Sequence, residues 1–151
     1  MKKRFIILTL ILILVLIPTN IFADNSLRIS KWTVDSTLLE NGDLSIIEDI
    51  TFRFNGSFNG VYRDIVLHKN DGIKDLSIFE MISGEEIEYT LDPKAKKGDN
   101  RVYNMDLKEN DANIMIFSPS KNKSKTFRIK YIINNVATKH KDIGELYYKF
   151  L

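Results

Sequence analysis

Cysteine is absent from the 151-residue chain, and histidine is scarce, with two residues, His68 and His140. Without Cys there is neither a thiol nucleophile nor a disulfide. No G-x-S-x-G stretch offers a serine nucleophile in its place. The two histidines sit in the polar settings "LHKND" and "TKHKD" and read as solvated loop residues. Also missing after residue 24 is any sustained 3.6-residue apolar repeat, so no helix is expected there. There is no internal repeat and no low-complexity tract. The fold must rest on an apolar core, and a domain of this length can bury roughly two-thirds of its unfolded surface.

One long apolar run is present, at the start. "MKKR" is followed by the 13-residue "FIILTLILILVLI", then "PTNIFA". A basic head, a short apolar stretch and Ala23 before Asp24 match a signal peptide, residues 1–23. A signal-anchor is the alternative, but a bilayer core needs roughly 20 apolar residues and this run is short. With no Cys after the run, a lipid-modified amino terminus is excluded. Cleavage would remove Lys2, Lys3 and Arg4 and leave 19 Lys+Arg against 20 Asp+Glu. The mature chain is then close to neutral, and its charge balance does not point to nucleic acid or acidic lipid. Export places it on the extracytoplasmic face of the membrane, or outside the cell if the short form is secreted. The partner expected is an unknown envelope or membrane protein. Membrane association would run through the signal segment or through missing C-terminal helices.

The remainder, residues 24–151, reads as strands. In "LRISKWTVDSTLLENGDLSIIEDITFRF", Leu27 and Ile29 share one parity, and Trp32, Val34 and Leu38 the other. That change of phase near Lys31 predicts a bulge. Asn41-Gly42 reads as a tight hairpin turn with two positive-φ positions. Leu44, Ile46, Ile50, Phe52 and Phe54 then alternate, with Glu48 the one polar residue in the series. "GIKDLSIFEMISGEEIEYTLD" reads as a second hairpin, "RVYNMDLK" and "ANIMIFS" as two short strands, and "KTFRIKYIINNVA" as the last clear strand. Short strands with turn signals at these intervals predict an all-β fold, an antiparallel β-sandwich of immunoglobulin-like architecture, preceded by an N-terminal signal helix. The final "ELYYKFL" is apolar and aromatic, as if in mid-strand, which suggests a domain incomplete at its C-terminus.

Chemistry-bearing sets are few. Glu48-Asp49, Glu85-Glu86 and Glu109/Asp111 are paired carboxylates of the kind glycoside hydrolysis needs. Neighbours on a strand face opposite ways, so Glu48 and Asp49 cannot line one cleft. The Asx-rich stretches "KNDG", "KGDN" and "KENDAN" lack the spaced acids of a calcium loop and read as turns. Asn55-Gly56-Ser57 and Asn122-Lys123-Ser124 match the N-glycosylation triplet, which is common by chance. No metal or cofactor is expected.

"FNGSFNGVYRDIVL", residues 54–67, is the most distinctive stretch. Two glycines allow a turn or a close backbone approach. Phe58, Tyr62, Arg63 and Asp64, with Glu145 and Tyr147 from "GELYY", form a candidate binding set. The competing reading is structural: a corner locked by aromatic packing and a paired Arg. An Arg in apolar surroundings needs a fixed partner, and Glu145 is the candidate. The segment also resembles the pattern "F-x-G-x-F-x-G-v-y-R-d-I" of the N-terminal domain of the DUF2207 family, predicted bacterial membrane proteins of unknown function. The preceding "LLENGDLSIIEDI" resembles that family's hairpin and "GELYY" its "a-x-E-L-y-W", with Tyr148 where the family often has Trp. The resemblance runs from about Ile29 to the last residue. It implies an extracytoplasmic β domain tethered to a membrane, and no assigned activity. The function expected is non-catalytic, a binding or structural domain of an envelope protein. The alternatives are an envelope-polymer hydrolase using paired carboxylates, such as Glu48 or Asp64, and a non-functional gene fragment.

Overall fold

The computed structural model describes residues 25–67 and 72–148, and every regular element in them is a strand. The signal segment and His68 lie outside the described residues. In chain order the strands are β1 (Ser26–Leu38), β2 (Leu44–Asn55), β3 (Ser57–Val66), β4 (Ile73–Ile82) and β5 (Glu85–Leu91). They continue with β6 (Val102–Leu107), β7 (Asp111–Lys121), β8 (Ser124–Ile133), β9 (Ala137–Lys139) and β10 (Gly144–Leu146). Eight of them form one curled sheet in the order β1-β2-β8-β4-β5-β6-β7-β3, and β9 pairs with β10. All pairings are antiparallel except β5–β6, which is parallel over two residue pairs. The sheet folds over at that short joint, so that β2 approaches β7 across the core. The result is an all-β half-barrel with sandwich-like layers; the alternating patterns predict the strands, and the curl of one eight-stranded sheet is what they leave out.

Alternation decides which residues fill the interior. Ile46, Ile50, Phe127 and Ile129 come from β2 and β8; Val61, Ile65, Ile114 and Ile116 come from β3 and β7, and all are buried. Phe127 packs edge-on against Phe52 and Tyr89, with ring centroids 6.1 and 5.8 Å away. The bulge expected near Lys31 is there: the β1–β2 register shifts between Ile29 and Lys31. It places Leu27, Ile29, Trp32, Val34 and Leu38 opposite the buried Phe54, Phe52, Ile50, Glu48 and Leu44, so the two parities share one face.

Two local expectations need correction. The β1–β2 turn is a five-residue connection in which only Gly42 has positive φ (86°); Asn41 instead uses its side chain on Asp43. The "FNGSFNGVYRD" segment is not a loop: Phe54 and Asn55 end β2, β3 runs from Ser57, and the corner is confined to Gly56 (φ 94°). There the chain leaves one layer and enters the other, clamped by the Gly56 amide on Asn122 Oδ1 (2.6 Å) and the Asn122 amide on the Gly56 carbonyl (3.1 Å). Gly60 serves a second purpose. A Cβ there would stand 1.9 Å from the Ile116 carbonyl oxygen, next to the register shift between Phe58 and Gly60. Backbone cannot yield as a flexible side chain would. Gly60→Ala should therefore destabilise the domain by about 2 kcal/mol or more, read as a lower urea midpoint.

Candidate functional site

The functional question centres on Arg63, and its surroundings follow from strand parity. On β3, Val61, Arg63 and Ile65 face the core side, and Tyr62 and Asp64 face out. Arg63 therefore enters an apolar interior. Its Nε donates to Glu48 Oε2 (2.8 Å) and its Nη2 to Glu48 Oε1 (2.7 Å), a bidentate fork. Nη1 donates to the Asp64 carbonyl. The guanidinium also stacks on Trp32, 4.9 Å from the ring centroid. Glu48 is fully buried, with 0 % of its surface exposed, and Tyr131 donates a further hydrogen bond to its Oε1 at 2.5 Å. Tyr148 joins through a hydrogen bond between its hydroxyl and that of Tyr131.

Burial alone would lower the Arg63 pKa, but the hydrogen bonds and charge of Glu48 outweigh it and hold the guanidinium charged. Burial, and then the Glu48 carboxylate, raise the Tyr131 phenol far above its ordinary value, so it stays a donor. Burial likewise raises Tyr148. The cluster is thus a saturated ion pair, ordered by three aromatic side chains.

The expected partner of Arg63 was Glu145, and that pairing is incorrect. Glu145 lies in β10 on the surface, 3.7 Å from His140 Nε2. Glu48 displaces it because β2 and β3 face each other across the core, and Glu48 sits in the inward phase of β2. The wider candidate set also separates. Phe58 is half-buried and packs on Phe54, 5.6 Å between centroids. Tyr62 is 71 % exposed, and Asp64, exposed, accepts a hydrogen bond from Asn113 at 2.8 Å. Tyr147 is exposed, and it is Tyr148 that reaches the Arg63 cluster. Only Phe58 and Arg63 of the set turn inward. As parity required, Glu48 faces in while Asp49 faces out, where Arg128 grips it at 2.7 Å through Nε and Nη2.

A second buried polar cluster was not anticipated. Lys125 donates to Glu80 Oε2 (3.0 Å) and to Ser118 Oγ (2.5 Å); Tyr89 donates to Glu80 Oε2 (2.8 Å) and lies 2.9 Å from Ser118 Oγ. Burial lowers the Lys125 pKa, and Glu80 works against that shift. Burial raises Tyr89. The signal available was Lys125, two residues before Phe127 in the buried phase of β8. Among the described residues, no group of three or more His, Asp or Glu is placed to hold a metal.

With this geometry in place, the comparisons can be read. Residues 28–151 match the family model described as the predicted membrane protein (DUF2207) N-terminal domain. The chain belongs to this family. No curated protein and no solved structure matches it. The DUF2207 match covers both hairpin and Arg63 segment, so the family-like stretch supplies both halves of the buried ion pair. Among the described residues no helix is long and apolar enough to cross a membrane.

Charge pairing gives two tests. Glu48→Gln would strand the Arg63 charge in the interior, and should cost about 3–5 kcal/mol in urea unfolding. Replacing both partners, Glu48→Met with Arg63→Met, should recover much of that loss, and Glu145→Ala should change stability by less than about 0.5 kcal/mol. The second test concerns Asp43, where Lys74 (2.6 Å) and the Asn135 amide (3.0 Å) hold the carboxyl below its ordinary pKa of 3.8. A depressed folded-state pKa contributes stability above the unfolded value, and this is lost as pH falls through the folded one. Thermal unfolding followed below pH 3.8 should therefore show a smaller acid-induced loss in Asp43→Asn than in the wild type.

Proposed function

We propose that this chain is a non-catalytic domain of a membrane-associated envelope protein, exposed on the extracytoplasmic side, whose role is binding or structural. The observation that carries the reading is the state of Arg63. The most distinctive segment of the sequence contributes its charged group to a buried, saturated ion pair, leaving no free catalytic group at that place. Membership of a membrane-protein family supports the location, as does the basic and apolar leader. In this reading the domain is an immunoglobulin-like sandwich. Its layers and mostly antiparallel pairing support that, and the parallel β5–β6 joint is its departure.

The rival reading, a hydrolase of an envelope polymer, requires two carboxyls flanking one bond. Glu48 and Asp64 do not suit it. Glu48 is enclosed behind Arg63 and Tyr131, and Asp64 projects from the opposite face of β3.

The cysteine-free chain makes location directly measurable. Lys97 lies exposed in the loop between β5 and β6. Full-length Lys97→Cys should react with a membrane-impermeant maleimide in intact spheroplasts. Labelling only after lysis would place the domain in the cytoplasm and sink the reading.

A further inference from the structure

The chain pairs its inward and sheet-face cations with care. Arg63 has Glu48, Lys125 has Glu80, Lys74 has Asp43, Arg128 has Asp49 and Glu86, and Lys130 has Glu86. Other strand cations, Lys31 and Lys121 among them, make no ion pair among the described residues, and one unpaired set is gathered in a hollow. Arg28 on β1 stands directly opposite Arg53 on β2, and Arg53 stands directly opposite Ser124 on β8. Lys123, in the turn before β8, lines the same surface hollow of about 620 Å³, together with Ser26 and Asn122. Among the described residues no carboxylate lines this hollow and none of the three cations makes an ion pair.

Like charges directly opposite across antiparallel strands repel, since the Cβ atoms are only about 4.5–5.5 Å apart. A third cation beside them adds to the cost. The arrangement is offset when an anion sits between them. Two guanidinium forks and an ammonium offer more donors than one carboxylate can accept, and they suit a tetrahedral oxyanion with several oxygens. The hydroxyls of Ser26 and Ser124 line the hollow as further donors. We infer that Arg28, Arg53 and Lys123 form a binding site for a phosphate-ester anion.

Such an anion has two sources at a cell envelope, a lipid headgroup or a phosphate-bearing polymer. The hollow adjoins Ser26, nine residues after the end of the leader's apolar run at Ile17. Where the leader is retained as a signal-anchor, this places a phospholipid headgroup within reach of the chain. The inference deepens the binding-domain reading by naming a ligand class, and rests on it only for where that ligand is met.

The test uses the full chain in nonionic detergent micelles, with the amide resonances of Asn122, Lys123 and Ser124 followed by NMR. Glycerol phosphate is titrated in, against sodium chloride at matched ionic strength. Saturable shifts specific to glycerol phosphate are expected, with affinity reduced at least about tenfold in Arg28→Gln/Arg53→Gln. This double variant removes the like-charge pair, so it should unfold at the same temperature as the wild type or higher, and its loss of binding is not a loss of fold. Shifts equal to those from chloride, or unchanged in the variant, overturn the site. The same resonances in phosphatidylcholine nanodiscs, with and without phosphatidylglycerol, identify the source. A phosphatidylglycerol-dependent shift assigns a lipid headgroup, whereas a response to glycerol phosphate alone assigns a polymer or soluble ester. Failure of the titration leaves the location reading to the maleimide experiment, so the two fail separately.

Discussion

A carboxylate at the centre of an apolar interior is the constraint on which the fold turns. Glu48 has no access to water, and an unpaired buried charge costs several kcal/mol. Apolar burial is non-directional and would accept many relative placements of two layers. The Glu48–Arg63 fork accepts few, because both nitrogens must meet both oxygens. That single pair fixes β3 over β2. Through Trp32, Tyr131 and Tyr148 it also engages β1, β8 and the segment after β10. The parallel joint between β5 and β6 spans only two residue pairs, so the closure of the curled sheet depends heavily on what crosses its interior.

The second cluster plays the same part elsewhere in the core. Glu80 and Lys125 belong to β4 and β8, Tyr89 to β5, and Ser118 to β7 in the opposite layer. Its hydroxyls and charges close a ring of hydrogen bonds, which strengthens each member in a low-dielectric setting. Exported domains commonly join their layers with disulfides. This chain has no cysteine, and two buried polar clusters supply directional links between its layers. The comparison is one of geometry, because a salt bridge in the interior contributes register more dependably than net stability.

Much of this was legible in the sequence, and the failures have a common cause. Period-two alternation gave the strands and most of the core, and the parity change at Lys31 gave the bulge. Glu48 was visible as the one polar residue in an apolar series, which marked it as buried. Its partner was not visible, since contact across layers depends on how the sheet curls, and alternation carries no information on that. Arg63 was accordingly assigned to Glu145, which belongs to another family-like motif but lies on the surface beside His140. Arg63 turned inward while Tyr62 and Asp64 turned outward, a division that parity yields once the segment is read as a strand; Phe58, of the same parity as Tyr62, turns inward because the register shifts between Phe58 and Gly60. The glycines concealed that. Gly56 makes the corner and Gly60 admits the β7 backbone, and together they resemble a loop.

Strongly perturbed protonation in a cluster often marks an active site. Here it marks architecture. Tyr131, Tyr89 and Lys125 are shifted chiefly by burial, and each is already hydrogen-bonded within its cluster. In the non-catalytic reading these hydrogen bonds serve the fold. The proposed binding role then looks to places where charge is left uncompensated and accessible. On this domain the buried charges are paired, and Asp49, Glu86, Arg128 and Lys130 neutralise one another on the outer sheet face. The facing arginines at the start of β1 and the end of β2 form an uncompensated like-charge pair. An arrangement that costs the isolated domain stability is informative for that reason, because a bound anion, as proposed for this hollow, would supply the missing charge.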